Sequence, residues 1–303
     1  MKPFAYQAPT SINEAVALLA DEGRQARPLA GGTDLLVQWR RGLVEADLLV
    51  DVKRIPELER ISFDPAGGLT VGAAVSCASL CEHPDVRVAY PGLIDAASII
   101  GGAAIQGRAT IAGNLCNAAP SGDSIPAMMV LDAACTIAGP GGTRSVPVET
   151  FCIAPGKTIM DKGELLVSIH FPAPAPNSGA CYVRFTPRRE MDIAVAGAGA
   201  WIALSDDRAR IADARIALAA VAPTPLLVAA AAAPLVGQAP TEGAFAEAAR
   251  LAQEAARPIA DVRGTENQRR HLVGVLVKRA LRGAWSRARA GHLEPARGGT
   301  SDG

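Results

Sequence analysis

The chain has 303 residues, of which 49% are hydrophobic, enough to bury more than one core and to indicate two or three domains. Its 30 basic residues balance its 30 acidic residues, so the charge gives no reason to expect nucleic acid or an anionic membrane as a partner. The N-terminus lacks the apolar core of an export signal, and the most apolar stretch, Pro225 to Val236, is too short to span a bilayer. We therefore expect a cytoplasmic protein without membrane insertion.

The first predicted elements alternate between helix and strand. Ser11 and Glu14 form an S-x-x-E capping box, and apolar residues at helical spacing follow, which predicts a helix over 12–20. The next elements are a strand, a helix that stops at a glycine, and a buried strand, over 27–30, 34–41 and 47–52. A glycine-rich segment, PLAGGTDLL, joins the first of these strands to the helix. This order is typical of a compact βαβ-like lobe.

The middle of the chain changes to strands and short helices. Two apolar runs flank the turn at 65–68 and predict a hairpin. Helices are expected over 78–100, with interruptions at Pro84 and Pro91. A second glycine-rich segment, RATIAGNLCNAAPSGD, occupies 108–123. A further hairpin and a strand are predicted after it, over 135–148 and 165–172.

The pattern of the C-terminal third predicts a separate domain. Three prolines within 172–178 indicate a linker. The pattern then predicts three strands followed by two helices, over 181–185, 193–204, 215–221, 244–256 and 267–284. Strands followed by helices indicate an α+β arrangement, with helices on one side of an antiparallel sheet. Residues after about Arg289 lack apolar content and are expected to form a disordered tail.

The two glycine-rich segments are the strongest functional signal. Glycines lack a Cβ, so their backbone N–H groups can come close to an anion, and two such segments can bind a pyrophosphate from both sides. Neither a GxGxxG motif nor a GxxxxGK[ST] motif occurs, which disfavours a Rossmann or P-loop site. The first segment alone fits equally well a strand-to-helix turn in which Thr33 is an N-cap. The second segment favours a dinucleotide site formed by two distant segments.

Four motifs in order resemble a known family. AGGTDLL, TIAGNLCNAAPSGD, RFTPRREMDIAVAGAG and RGTENQRRHLVGVLVKRAL are similar to segments of the FAD-binding medium subunit, subunit M, of the xanthine dehydrogenase and carbon monoxide dehydrogenase molybdenum hydroxylases. The resemblance runs from Phe4 to Leu281. It implies an α+β fold, with a two-lobed FAD-binding domain of the PCMH (vanillyl-alcohol-oxidase-like) type before an α+β C-terminal domain with an antiparallel sheet. The implied division is lobe 1, lobe 2, C-terminal flavoprotein domain and tail, over 1–55, 56–175, 180–288 and 289–303.

The resemblance also implies which residues bind the cofactor. The first segment contacts the FAD pyrophosphate through Pro28, Leu29, Ala30, Gly31, Gly32, Thr33, Asp34 and Leu35. The second contributes the family's T-x-G-G-N element and an acidic residue for the ribose or adenosine, namely Thr110, Ile111, Ala112, Gly113, Asn114 and Asp123. Ala112 stands where glycine is commoner, and would cost about 1 kcal/mol if that position needs a positive φ. Ile100 and Leu166 line the cofactor pocket or are simply core residues, and Arg184 lies near the flavin.

The implied function is electron transfer within an oxidoreductase complex. The resemblance implies that FAD in this chain receives electrons from two [2Fe–2S] clusters of a small partner subunit and passes them to an external acceptor. It also implies a large partner that holds molybdopterin and a complete assembly that is a dimer of heterotrimers. Thr33-Asp34 stands where the carbon monoxide branch tends to carry His-Ser, which favours an N-heteroaromatic, purine or aldehyde substrate. The alternatives are a stand-alone FAD-dependent oxidoreductase and a carbon monoxide dehydrogenase medium subunit. Scattered histidines and six cysteines without a CxxC pair predict neither a catalytic side chain nor a metal site in this chain.

Overall fold

The structure is a computed structural model that describes residues 4–188 and 191–291. Its N-terminal part is a three-stranded parallel sheet with two helices, whose elements in chain order are β1 (Ala5–Gln7), α1 (Ile12–Ala20), β2 (Ala26–Leu29), α2 (Leu35–Arg40) and β3 (Leu48–Asp51). The strand order is β1-β3-β2. Because the strands are parallel, the ends of β2 and β3 lie side by side, with Leu29 opposite Asp51.

The capping box of α1 forms as predicted. The Ser11 hydroxyl accepts a hydrogen bond from the Glu14 amide at 3.2 Å, and the Glu14 carboxylate accepts one from the Thr10 amide at 3.0 Å. The first bond satisfies an amide that the first turn of a helix leaves without an acceptor, and the second binds the residue before the N-cap. The buried face of α1 carries Ala15, Val16 and Leu19, so the predicted helix over 12–20 is confirmed.

The central part is a five-stranded antiparallel sheet with a group of short helices. Its elements in chain order are β4 (Ile61–Asp64), β5 (Gly68–Gly72), α3 (Cys77–Glu82), α4 (Pro84–Ala89), α5 (Pro91–Ala97), α6 (Ala103–Gln106), α7 (Ile111–Cys116), α8 (Ser124–Val130), β6 (Ala134–Gly139), β7 (Gly142–Pro147), β8 (Cys152–Ala154), β9 (Lys157–Thr158) and β10 (Leu165–Phe171). The sheet order is β4-β5-β10-β6-β7, and β8 pairs separately with β9. Pro84 and Pro91 each begin a helix, as expected for a residue without an N–H group.

The C-terminal part is an antiparallel sheet covered by helices. Its elements are β11 (Ser178–Phe185), β12 (Ala196–Leu204), β13 (Ile211–Ala219), β14 (Leu226–Leu227), α9 (Ala229–Ala232), α10 (Glu242–Ala255) and α11 (Glu266–Ala290). The four strands are ordered β11-β12-β13-β14, and one core of small aliphatic side chains lies between this sheet and its helices. The predicted α+β arrangement is confirmed. Residues 292–303 of the predicted tail lie outside the described residues.

Two large hydrophobic cores and two small clusters hold the described residues together. The larger one contains Val16 and Leu48 of the N-terminal part together with Leu69 and Ile169 of the central sheet. The predicted lobes over 1–55 and 56–175 therefore share one core, and the boundary between them stays a prediction. Within the described residues, no helix combines the length and the hydrophobicity needed to cross a bilayer.

Ion pairs join the C-terminal part to the central helices. The Arg287 guanidinium on α11 donates to both carboxylate oxygens of Asp95 on α5, at 2.5 and 2.9 Å, and to the Ala180 carbonyl on β11 at 2.6 Å. Asp95 also accepts from the Tyr182 amide at 3.1 Å. A guanidinium and a carboxylate that bind in this two-point manner fix relative orientation as well as distance.

Replacing Arg287 by methionine tests this joint. We expect R287M to lower the free energy of unfolding by about 1–3 kcal/mol, because Asp95 and the Ala180 carbonyl lose their donor. Urea unfolding followed by tryptophan fluorescence measures the change. Arg279→Met, at an exposed position of the same helix, is the control and should change stability by less than about 0.5 kcal/mol. Equal stability of the two variants would contradict a structural role for the pair.

Candidate cofactor-binding cleft

The two glycine-rich segments touch each other. A Cβ placed on Gly31 would overlap the Arg108 carbonyl oxygen and would lie 2.7 Å from the carbonyl carbon and 3.1 Å from Ala109 Cα. Only a residue without a side chain permits so close a backbone approach. Segments separated by most of the central helices in the sequence are therefore direct neighbours in the fold.

A cleft of about 580 Å³ lies where the segments meet, within the size range of cofactor sites. Eleven of the predicted binding residues line it: Pro28, Ala30, Gly31, Gly32, Thr33, Asp34, Leu35, Ile100, Thr110, Gly113 and Asn114. The structure adds Ala109, Cys116 and Asn117, which lie in the second segment but were not among the predicted binding residues. It also adds residues outside both segments, namely Arg27, Gln38, Leu43, Val44 and Gly156. The walls thus combine glycine backbone, hydroxyl and amide side chains, and a few aliphatic groups.

The first segment is a tight connection from β2 to α2. Gly32 adopts a φ of 75°, in the region that favours glycine. Its carbonyl accepts from the Leu36 amide at 3.1 Å and so starts the helix. The N-cap of α2 is Asp34 and not Thr33, and the Asp34 side chain makes no capping hydrogen bond. The alternative in which Thr33 caps the helix is therefore wrong. The Thr33 side chain lines the cleft instead.

A partly buried ion pair supports the backbone of the first segment. The Lys53 ammonium donates to the Ala30 carbonyl at 3.0 Å and to Asp51 Oδ1 at 2.6 Å, and the Tyr6 hydroxyl donates to Asp51 Oδ2 at 2.6 Å. Burial acts to raise the pKa of Asp51, but the hydrogen bonds from Lys53 and Tyr6 outweigh it, so this pKa lies below its ordinary value. Lys53 thus holds the backbone of the segment while Asp51 neutralises its charge.

The second segment is more helical than its glycine content indicates. Thr110 is the N-cap of α7, and its hydroxyl accepts from the Gly113 amide at 2.8 Å. Asn114 Oδ1 accepts from the Ser124 hydroxyl at 2.7 Å and from its amide at 3.3 Å, which fixes the amide side chain beside the cleft. Ala112 lies inside α7 and has no positive φ. The cost considered for alanine at this position therefore does not arise.

A side-chain hydrogen bond closes one wall of the cleft. Gln38 Nε2 on α2 donates to Asn117 Oδ1 at the end of α7, at 2.8 Å. This bond joins α2, which follows the first glycine-rich segment, to the end of α7, which lies within the second. The two segments are therefore connected by this side-chain bond as well as by the Gly31 contact.

Six predicted residues do not line the cleft. Leu29, Ile111, Ala112 and Leu166 have buried side chains. Asp123 is also buried, accepting from the Tyr182 hydroxyl at 2.8 Å and pairing with the Arg184 guanidinium. Burial raises the pKa of Asp123, and Arg184 and Tyr182 offset only part of that shift. Arg184 instead lines a neighbouring groove with Ile99, and contacts of these residues with a cofactor stay predictions.

Comparison with known proteins agrees with the fold and the cleft. Residues 2–174 match the FAD binding domain in molybdopterin dehydrogenase, and residues 182–284 match the CO dehydrogenase flavoprotein C-terminal domain. The carbon monoxide dehydrogenase medium chain of Hydrogenophaga pseudoflava is 34% identical over 284 residues, which cover 94% of this chain and 98% of that protein. The xanthine dehydrogenase FAD-binding subunit of Escherichia coli O157:H7 is 35% identical over 223 residues, covering 73% of this chain and 75% of that protein.

Solved structures give the same result. Carbon monoxide dehydrogenase from Hydrogenophaga pseudoflava matches with a TM-score of 0.89 at 34% identity, over 94% of this chain and 99% of that chain. Quinoline 2-oxidoreductase from Pseudomonas putida 86 matches with a TM-score of 0.87 at 32% identity, over the same shares. The fold and the cleft, together with these matches, define a flavoprotein that binds FAD. More specifically, the chain belongs to the family of FAD-binding subunits of molybdenum hydroxylases.

The Gly31 contact yields a first prediction for the site. Gly31→Ala must separate the two segments, so we expect a loss of about 1–3 kcal/mol in the free energy of unfolding and at least roughly tenfold weaker FAD binding. Thermal unfolding and flavin-fluorescence titration measure the two effects. Gly107→Ala is the matched control, since Gly107 has a φ of -64° and its added Cβ would approach no described atom closer than 4.0 Å. Similar FAD affinity in both variants would refute the steric argument.

The support beneath the segment yields a second prediction. Lys53→Met leaves the Asp51 carboxylate and the Ala30 carbonyl without their shared donor, so FAD affinity should fall by roughly five- to tenfold. Lys53→Arg should retain most of the affinity, because it keeps the positive charge and hydrogen-bond donors. If Lys53→Met bound FAD as tightly as the wild type, the support would be unnecessary.

The same ion pair predicts a pH dependence of stability. Because the pKa of folded Asp51 lies below its ordinary value of 3.8, its stabilisation is complete above that value and is lost as the pH falls through the lower folded value. Melting temperatures of the wild type should therefore decline more steeply on acidification below about pH 4 than those of Asp51→Asn. Parallel curves for the two proteins would exclude a contribution from this carboxylate.

Proposed function

We propose that the cleft holds FAD with its diphosphate between the two glycine-rich segments, and that the chain carries electrons from partner [2Fe–2S] clusters to an external acceptor. The contact of Gly31 with the Arg108 and Ala109 backbone carries this proposal, because it makes two distant segments the walls of one cleft. Bound FAD supplies the redox chemistry, and the protein supplies binding, orientation and electrostatics.

Different groups of the cleft would contact the diphosphate of FAD. Gly31 and Gly32 line the cleft without side chains, so their amides are available to phosphate oxygens. Gly113 also lines the cleft, but its amide already donates to the Thr110 hydroxyl. The Thr33 hydroxyl is a further donor, since it is not used as a helix cap. Leu29, Ile111 and Ala112 have buried side chains and would contribute through their backbone.

Three further roles rest on the family resemblance. Ile100 lines the cleft and offers an apolar contact, whereas Leu166 lies beneath it in the core. Asp123 is proposed to accept from the ribose and Arg184 to lie near the flavin, where a cation favours the reduced, more negative ring. Arg184 lines a groove together with Ile99, the chain neighbour of the cleft residue Ile100, which supports a position near the cleft.

The partners are proposed from the whole-chain match to medium subunits. Relatives that align along their full length are single chains of multi-subunit enzymes, so the chain is assigned a large molybdopterin-binding partner and a small [2Fe–2S] partner. A dimer of heterotrimers, and the division of the chain into domains over 1–55, 56–175 and 180–288, belong to the same proposal.

The location of the protein is proposed to be cytoplasmic. The six cysteines of the chain are free thiols, which supports a reducing compartment.

The substrate of the complex is proposed to be an N-heteroaromatic, a purine or an aldehyde. Thr33-Asp34 in the cleft favours this class, because the carbon monoxide branch tends to carry His-Ser there. A carbon monoxide dehydrogenase medium subunit is the second candidate, supported by an alignment that covers 98% of such a chain. Overall identity does not separate the two, at 34% and 35%.

Purification of the chain with its partners tests the proposal. We expect a yellow protein with close to one FAD per chain, whose flavin absorbance bleaches when substrate of the complex is added. Mass spectrometry of the co-purified chains should identify a molybdopterin-binding subunit, which names the substrate class. A colourless chain that takes up no added FAD would overturn the cofactor assignment. Substrate turnover by the isolated chain would instead favour a stand-alone flavoenzyme.

A further inference from the structure

Among the described residues that line the cleft, the charged side chains are those of Arg27 and Asp34. They lie on either side of the first glycine-rich segment: Arg27 in β2, and Asp34 just before α2. Their charges are opposite, yet the structure places no ion pair between them. A ligand that enters the cleft therefore meets one cation and one anion that are not committed to each other.

Arg27 is free of protein partners within residues 4–188 and 191–291. Its side chain is exposed and makes no hydrogen bond or ion pair there. Lys53, which contacts the segment, is already bound to Asp51 and to the Ala30 carbonyl. Of the two, only Arg27 can direct an unshared positive charge into the cleft.

Charge balance assigns a role to this arginine. A dinucleotide diphosphate carries two negative charges, and backbone amides donate hydrogen bonds without neutralising them. The Asp34 carboxylate adds a third negative charge to the same space, which opposes binding. A guanidinium offers phosphate oxygens two parallel hydrogen bonds as well as a charge.

We propose that Arg27 binds the diphosphate of FAD and that Asp34 opposes it, so that this pair of side chains sets how tightly the cleft holds a diphosphate-bearing flavin. The inference rests on the proposed function, since it takes the diphosphate to lie between the glycine-rich segments. It adds Arg27 to the binding residues and gives the Asp34 side chain an opposing effect, in a cradle otherwise made of backbone amides and the Thr33 hydroxyl.

Titration of the flavin-free full chain with FAD and with riboflavin tests the inference, because riboflavin lacks the diphosphate. Arg27→Gln should weaken FAD binding by roughly five- to tenfold and change riboflavin binding by less than about twofold. Arg27→Lys should lose less, because it keeps the charge. Asp34→Asn should bind FAD more tightly than the wild type. The slope of FAD affinity against salt concentration should be shallower in Arg27→Gln.

Arg60→Gln is the matched control, since Arg60 is exposed and does not line the cleft, and it should bind both flavins as the wild type does. Equal effects of Arg27→Gln on FAD and riboflavin, or no effect on either, would overturn the inference. Weaker FAD binding by Asp34→Asn would overturn the role given to Asp34. Wild-type chain that binds neither flavin would instead refute the proposed function. Melting temperatures within about 2 °C of the wild type establish that the variants are folded.

Discussion

The structure depends on one backbone contact, that of Gly31 against the carbonyl of Arg108. Each side of this contact is anchored in the larger hydrophobic core, through Val50 on β3 and through Ile111 and Leu115 on α7. Packing in the core fixes the distance between the two segments, and the space between them at Gly31 is too small for a methyl group. The shape of the cleft therefore depends on packing outside it, and that packing requires glycine at position 31.

Several cationic side chains bind a carboxylate and a backbone carbonyl at the same time. Lys53 binds Asp51 and the Ala30 carbonyl, and Arg287 binds Asp95 and the Ala180 carbonyl. Arg269, which is 3% exposed, binds Asp261 together with the Val195 and Ala220 carbonyls. In each case the carboxylate offsets the cost of removing a charge from water, and the remaining donors fix a carbonyl. Arg27 differs because it has no such carboxylate.

Sequence patterns predicted the elements whose signals are local. The capping box at Ser11, the prolines that begin α4 and α5, and the alternating strands of both antiparallel sheets all act within a few residues. The short strand β1 was missed because its three residues are all exposed and carry no alternation. The helical character of 111–116 was missed because a glycine and an asparagine within it resemble a loop, whereas the Thr110 cap decides the conformation.

The supporting residues of the cleft required the fold. Asp51 and Lys53 lie 15 and 17 residues after Leu36, the last residue of the first segment. Only the parallel pairing of β2 with β3 brings them next to that segment. A rule was nevertheless available, because ligands of parallel sheets gather at the carboxyl ends of strands, and polar residues after β3 could have been assigned to the same edge as the segment after β2. Arg27 could not be singled out, since its importance lies in having no partner, which a sequence does not reveal.

Asp123 is a predicted binding residue that also connects the central helices to the C-terminal sheet. Its two carboxylate oxygens already accept from Tyr182 and Arg184, both on β11, and so connect α8 to the C-terminal sheet. An ionised carboxylate has about four acceptor positions, so the proposed ribose contact would need one of the remaining positions on a residue that is 7% exposed. A ligand bound in that way would touch the central helices and, through Arg184, the C-terminal part at once. Cofactor binding and the joint between the two parts would then stabilise each other, because each keeps the same carboxylate in place.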